Sequence, residues 1–111
     1  MRPVDKGTAP SKVYRQYQDA EADLEKRLGA YCSYCEFPIK HVPEVEHKEA
    51  KSRGGELLDW NNLLLTCKYC NTRKSTIVGK GDKDKYIWPD EDNTFHVFTY
   101  HNGIPQLNED Y

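Results

Sequence analysis

The sequence predicts an α+β fold in one small domain that needs more than a hydrophobic core to be stable. Of its 111 residues, 37% are hydrophobic and 31% are charged, so burial alone would give only marginal stability. One segment near the N-terminus repeats its apolar residues every three or four positions, as a helix does, and short segments further on alternate as strands do. Four cysteines lie in two Cys-x-x-Cys pairs, which predicts that a metal ion supplies the missing stability.

Residues 1–29 are predicted to form a polar arm and then an amphipathic helix. The helix should begin near Ser11, which follows a proline and is a favourable N-cap, and should end at Gly29. Its buried stripe would consist of Val13, Tyr17, Ala20, Leu24 and Leu28.

Residues 30–80 are predicted to form the core of the domain. The segment EVEH, Glu44 to His47, alternates polar and apolar residues and is typical of a short strand. A loop opened by Gly54 and Gly55 follows, and the segment NNLLLTC leads into the second cysteine pair. The segment NTRKSTIV should then form a short helix that ends at Gly79.

Residues 81–111 are predicted to form an acidic β extension. The segments YIWPD and TFHVFTY have the composition of strands, and HNG at 101–103 predicts a hairpin turn before IPQL. Residues 38–85 have ten lysines and arginines and seven acidic side chains, whereas residues 86–111 have five acidic side chains and no lysine or arginine. The excess of positive charge in residues 38–85 favours a phosphate-binding surface there. The acidic residues 86–111 would dock a partner or keep the domain soluble.

Zinc is the ion that the cysteines predict. Cys32 and Cys35 on one turn, with Cys67 and Cys70 on another, can complete a tetrahedral shell that leaves no position for water, so this zinc would be structural. Two buried cysteine pairs, a redox dithiol and an iron–sulfur cluster are the alternatives. The N-terminal residues lack the apolar segment of a signal peptide, and no apolar run approaches the roughly 20 residues that span a bilayer, so a reducing, cytoplasmic location is expected.

A second metal site is predicted between the cysteine pairs. Glu46 and Asn71 offer a carboxylate oxygen and an amide oxygen, which are ligands suited to Mg²⁺ or Mn²⁺. Asn71 directly follows Cys70, in the first turn of the expected helix, and His47 lies beside Glu46 in the chain. Because adjacent side chains of a strand point to opposite faces, Glu46 and His47 can share a site only where the strand ends or twists.

The pattern CSYC, EHK and WNNLLLTCKYCNTRK resembles the HNH endonuclease family, whose ββα-metal finger hydrolyses nucleic-acid phosphodiesters. The likeness covers about residues 31–76 and implies a treble-clef-like, His-Me finger fold. The three family positions correspond to His47 after an acidic residue, Asn62 before a leucine, and Asn71 after the second cysteine pair. The acidic residue is often aspartate in the family, whereas here it is the longer Glu46.

The resemblance implies a role for each of these residues. His47 would be the general base that takes a proton from the attacking water, and Glu46 and Asn71 would hold one Mg²⁺ or Mn²⁺ at the phosphoryl oxygens. Asn62 would clamp the loop so that His47 points inward, and the products would have 5′-phosphate and 3′-hydroxyl ends. Five basic residues are expected to contact the nucleic-acid backbone: Lys48, Lys51, Arg53, Arg73 and Lys74.

The resemblance also implies partners. DNA is the substrate that the family predicts. The pattern extended to WPDEDN is similar to the small HNH partners of ATPases in bacterial anti-phage systems of the Septu and retron-associated type, which implies an ATPase partner and a role in antiviral defence. The alternative from another functional class is a non-catalytic zinc-knuckle module that binds nucleic acid or protein. The presence of both a base and metal ligands favours the enzyme.

Overall fold

The computed structural model describes residues 2–92, 94, 97–102 and 104–108. Its helices and strands lie in the chain order α1 (Glu21–Leu28), β1 (Glu44–His47), β2 (Leu63–Thr66), α2 (Lys68–Lys74), β3 (Phe98–His101) and β4 (Ile104–Leu107). The strands pair as two antiparallel hairpins, β1 with β2 and β3 with β4. The predicted small α+β fold is therefore confirmed.

The β1–β2 hairpin lies between two hydrophobic clusters. In its register Glu46 is opposite Leu64 and His47 is opposite Leu63. Leu63 belongs to the larger cluster, which includes residues of α1, while Leu64 packs with Val78 and Trp88 in a smaller cluster. Because strand side chains alternate between faces, His47 projects toward the side of the larger cluster and Glu46 toward the side of the smaller one.

The first helix begins later than predicted. Residues 11–16 are not helical, and a single 3₁₀ turn at Tyr17–Ala20 leads into α1. The Asp19 carboxylate accepts hydrogen bonds from the backbone amides of Arg15 and Gln16, both at 3.3 Å, and so begins the helical segment here. Val13, which was expected in the buried stripe, is 95% exposed. The stripe itself is buried at Ala20, Leu24 and Leu28.

The predicted helix NTRKSTIV also differs from the structure, because α2 begins at Lys68, before Cys70, and ends at Lys74 rather than near Gly79. Ser75 adopts a positive φ of 49°, which stops helical hydrogen bonding. The chain then turns so that Val78 is buried against Leu64 and Trp88. The Val78 carbonyl also accepts a hydrogen bond from the Ala50 backbone amide, at 2.7 Å. A helix that continued past Lys74 would not allow Val78 to make both contacts.

The segment YIWPD, residues 86–90, does not form the strand that was expected. The Asp92 carboxylate accepts the Trp88 backbone amide at 2.7 Å, and the Trp88 carbonyl in turn accepts the Asp92 amide at 2.9 Å. These bonds close a turn around Pro89 instead of leaving the backbone extended. Trp88 itself is 4% exposed and forms part of the core.

Three buried charged groups join the N-terminal arm and the turn at residues 86–92 to the β1–β2 hairpin. Asp90 forms ion pairs with Lys6, at 3.2 Å, and with Lys48, at 2.7 Å. The Lys6 ammonium also donates to the carbonyls of Trp60 and Leu63. Burial lowers the pKa of Lys6 to about 8, and the Asp90 carboxylate opposes this shift.

The C-terminal hairpin confirms strands in parts of the segments TFHVFTY and IPQL. β3 and β4 pair antiparallel, with His101 opposite Ile104 and with Asn102 at a positive φ of 51° in the turn. Phe95 and His96 of the first predicted segment, and Gly103 of the predicted turn, lie outside the described residues. No described helix has the length and apolar character needed to cross a membrane.

Candidate active site

The four cysteines come together, as the sequence predicts. The Sγ atoms of Cys32, Cys35, Cys67 and Cys70 all lie within 4.8 Å of one another, and none of these cysteines forms a disulfide. Four thiolates at this spacing can hold one metal ion with no position left for water, which is the arrangement of a structural zinc site. The cluster therefore has the right composition for a structural site rather than a catalytic one.

The cysteine cluster also fixes the hairpin relative to α2. The backbone amide of Ser33, inside the first cysteine turn, donates to the carbonyl of Leu65 on β2 at 2.9 Å. Cys67 directly follows β2 and is the N-cap of α2, where its Sγ accepts the Cys70 amide at 3.4 Å. A metal ion bound to all four sulfurs would thus link the first turn, the end of β2 and the start of α2.

His47 is the last residue of β1, and a backbone carbonyl orients its ring. Its Nε2 lies 2.9 Å from the carbonyl oxygen of Leu57. Because a carbonyl can only accept, Nε2 carries the proton, and Nδ1 of the neutral ring keeps its lone pair. The ring of Tyr17 packs edge-on at 4.6 Å between centroids. Burial lowers the pKa of His47 below its usual value of 6.5; the Leu57 carbonyl opposes this shift, and the charges of Lys51 and Lys74 add to it.

Asn62 bridges backbone groups of the loop that follows His47. Its Oδ1 accepts the Glu49 amide at 2.9 Å, and its Nδ2 donates to the carbonyls of Glu49 and Glu56, at 3.1 and 2.8 Å. Gly55 allows the same loop to close tightly. A Cβ at that position would lie 1.9 Å from the Glu49 carbonyl oxygen, so only glycine fits there. These contacts hold the loop that presents the Leu57 carbonyl to His47.

Glu46 is buried and already paired. One carboxylate oxygen forms an ion pair with the Lys74 ammonium, and the other accepts the Tyr34 hydroxyl at 2.7 Å. The residue is 2% exposed. Burial raises the pKa of Glu46, and the Lys74 charge opposes that shift. Lys74 therefore supplies the positive charge that this carboxylate requires.

Asn71 lies on α2, opposite the other acidic residue of β1. Its Nδ2 donates to the Glu44 carboxylate at 2.8 Å. Glu44 and Glu46 are two residues apart, so both project from β1 toward α2. Glu46, His47 and Asn71 nevertheless line one cavity of about 170 Å³, together with Lys51. The structure thus brings the predicted base and both predicted ligands to a single cleft.

The five basic residues expected at a phosphate backbone differ in their exposure. Lys51, Arg53 and Arg73 are exposed. Lys48 is fully buried, and Asp90 and Glu91 neutralise its ammonium, which does not fit the expected phosphate contact. Lys74, with 14% of its side chain exposed, is held by the Glu46 carboxylate and donates to the carbonyls of His47 and Lys48 at 2.8 Å.

The sequence interpretation did not anticipate several of the groups that contact the residues of the cleft. Glu44 could have been found, because the alternation in EVEH places it on the same face as Glu46. No local signal indicates that Tyr34 would donate to Glu46 or that the Leu57 carbonyl would accept from His47, because both contacts depend on the way distant segments fold together.

Comparison with known proteins finds a family match over part of the chain. No curated protein and no solved structure matches the chain. Residues 32–76, which include both cysteine pairs, the β1–β2 hairpin and α2, match the model of the HNH endonuclease family.

Proposed function

We propose that this protein is an HNH-type endonuclease that hydrolyses phosphodiester bonds of DNA. The observation that carries the proposal is the environment of His47. Its Nε2–H is held by the Leu57 carbonyl, and its ring lines the same cleft as Glu46 and Asn71, inside the segment that matches the HNH family.

His47 acts as the general base through Nδ1. The Leu57 carbonyl fixes the tautomer and the direction of the ring, and the Asn62 clamp fixes the loop that carries this carbonyl. The lowered pKa keeps the imidazole neutral near pH 7, so Nδ1 can accept the proton of a water molecule that attacks phosphorus. The leaving group is the 3′ oxygen, so the products have 5′-phosphate and 3′-hydroxyl ends.

The donor groups of the cleft suit a divalent cation such as Mg²⁺ or Mn²⁺. Glu46 and Asn71 would hold it, and Glu44 adds a partly exposed carboxylate beside Asn71. When bound, the cation would stabilise the negative charge that develops on the phosphoryl and leaving oxygens. Each carboxylate oxygen of Glu46 already has one partner, Lys74 or Tyr34, so a cation would have to use the remaining lone pairs or displace the Lys74 ammonium.

Zinc is the proposed ion at the four cysteines. Of the five basic residues predicted to contact the nucleic-acid backbone, Lys51, Arg53 and Arg73 are the exposed ones and are proposed to make that contact. An ATPase partner and a role in anti-phage defence remain predictions of the sequence resemblance. The closed ion pair at Glu46 favours one rival function, a zinc-stabilised binding module without catalysis.

Incubation with plasmid and single-stranded DNA, with and without Mg²⁺ or Mn²⁺, tests the proposal. The parent protein should cleave only with the cation, and His47→Ala should lose about 10²- to 10⁴-fold in rate while it keeps the parent melting temperature. His41→Ala is the matched control, because His41 is an exposed histidine outside the cleft, and it should cleave like the parent. Equal cleavage by His47→Ala and the parent, or no cleavage by the folded, zinc-loaded parent, would contradict the proposal.

A further inference from the structure

A second cavity lies against α2, on the side away from Asn71. Its volume is about 400 Å³, and Tyr69, Arg73, Tyr86 and Trp88 are among its lining residues. Residues 69 and 73 of a helix point almost opposite to residue 71, because each residue turns the helix by about 100°. The chemistry proposed for His47 does not use this cavity.

The lining is aromatic and unusually exposed for apolar side chains. Tyr69 is 71% exposed, Tyr86 is 44% exposed and Ile77 is 60% exposed, whereas Trp88 is buried and forms the floor. The Tyr86 and Trp88 rings lie 6.2 Å apart between centroids. A contiguous exposed patch of this kind marks a binding surface more often than an isolated apolar side chain does.

The charged groups of the lining are basic. Arg73 and Lys74 contribute to it, and no acidic side chain does among the described residues. The Arg73 guanidinium lies 5.9 Å from the centre of the Tyr69 ring, and the Lys74 ammonium lies 5.8 Å from that of Trp88. Aromatic faces beside cations suit a ligand that has a flat ring and a negative charge.

Lys74 connects this cavity to the catalytic cleft. Its side chain lines the cavity, while its ammonium pairs with Glu46 and donates to the His47 carbonyl. The Lys74 side chain thus lies between the cavity and Glu46, and we expect one nucleic-acid strand to contact both sites.

We propose that the cavity binds one unpaired nucleobase of the substrate strand, stacked against Tyr69 or Tyr86, with the adjoining phosphate at Arg73. This inference rests on the proposed function and specifies its substrate: a strand with at least one base out of the double helix. A volume of about 400 Å³ lies within the range of about 300–1,000 Å³ of ordinary ligand sites.

Binding of short fluorescein-labelled DNAs, measured by anisotropy without divalent cation, separates this inference from catalysis. The parent should bind a single strand more tightly than the blunt duplex of the same sequence. Tyr86→Ala and Tyr69→Ala should each weaken binding of the single strand about 5- to 150-fold, as loss of a base–aromatic stack predicts. Tyr86→Phe keeps the aromatic ring and should bind like the parent. Phe37→Ala, which removes an aromatic ring that is 65% exposed and lies outside the cavity, is the control and should bind like the parent.

A strand of the same length made of abasic nucleotides tests the role of the base. It should bind weakly to the parent and should not respond to Tyr69→Ala. The inference is overturned if both tyrosine variants bind the ordinary strand like the parent, if they lose affinity equally for the abasic strand, or if the parent binds no single strand. If the parent cleaves DNA but the tyrosine variants bind it like the parent, this inference alone is wrong. If the parent binds strands through the tyrosines but never cleaves them, only the proposed nuclease activity is wrong.

Discussion

The acid–base state of His47 is set by contacts that it makes with the rest of the chain. The Leu57 carbonyl takes the proton-bearing nitrogen, and Tyr17 covers one edge of the ring. Burial and the nearby Lys51 and Lys74 ammoniums favour the neutral ring over the charged one. A neutral imidazole with one nitrogen fixed and the other still basic is what a general base requires.

The rate of cleavage should therefore fall on the acid side of the pH profile. The His47 pKa lies below 6.5, so the rate should rise as pH increases through that lower value and should be level by neutral pH. Lys51→Met removes a positive charge that lowers this pKa, so the midpoint of the acid limb should move to higher pH. Lys26→Met, an exposed lysine on α1, is the control and should leave the midpoint in place. A midpoint above 6.5 in the parent, or an equal shift in both variants, would show that another group controls the rate.

Sequence spacing was informative for residues whose role depends on near neighbours. In the structure His47 and Asn71 line one cleft and Asn62 holds the loop beside it, while the roles predicted for them stay predictions. Lys48 was misjudged, because its partners Asp90 and Glu91 are more than forty residues away in sequence and were interpreted as an acidic tail. The residues next to a lysine in sequence do not show whether it pairs with a distant carboxylate, so a buried lysine cannot be told from an exposed one by local sequence.

Among the elements, the second cysteine pair and the existence of a helix beside it were the most predictable from the sequence. Cys67 is at once an expected metal ligand and the N-cap of a helix that positions Asn71. The beginning of α1 and the end of α2 were less predictable, because Asp19 caps the chain locally and Val78 is drawn into a tertiary cluster. Helix ends respond to such contacts, whereas apolar periodicity indicates only that a helix exists.

Removal of the metal at the cysteines should unfold the core. Structural zinc contributes about 10–16 kcal/mol of apparent binding free energy in small domains, which is as large as the whole stability of an ordinary domain. Cys67→Ser should therefore abolish the cooperative thermal transition and lower the zinc content, measured by mass spectrometry, from about one ion per chain. Thr72→Ala, at an exposed position of the same helix, should keep both. A Cys67→Ser protein that melts like its parent would exclude a stabilising metal.

At the scale of the whole molecule, a buried charge network holds the N-terminal arm and the 86–92 turn against the hairpin. Asp90 is 4% exposed at its side chain and faces the ammonium groups of both Lys6 and Lys48. Lys48 directly follows His47, and its backbone amide donates to the Asn62 carbonyl at 2.8 Å. The network therefore also supports the position of β1, which ends at His47.

Asp90→Asn should destabilise the protein strongly, because it leaves two buried ammonium groups without their shared carboxylate. Loss of one partner in a buried ion pair typically costs about 3–5 kcal/mol, a large part of the stability of a domain this small. Chemical denaturation of the zinc-loaded protein measures the change. Glu56→Gln removes the same charge from an exposed side chain and should leave the midpoint almost unchanged. If Asp90→Asn has the same denaturation midpoint as the parent, the arm and the 86–92 turn are held by apolar contacts instead. Any loss of cleavage in that variant would then have to arise at the cleft itself.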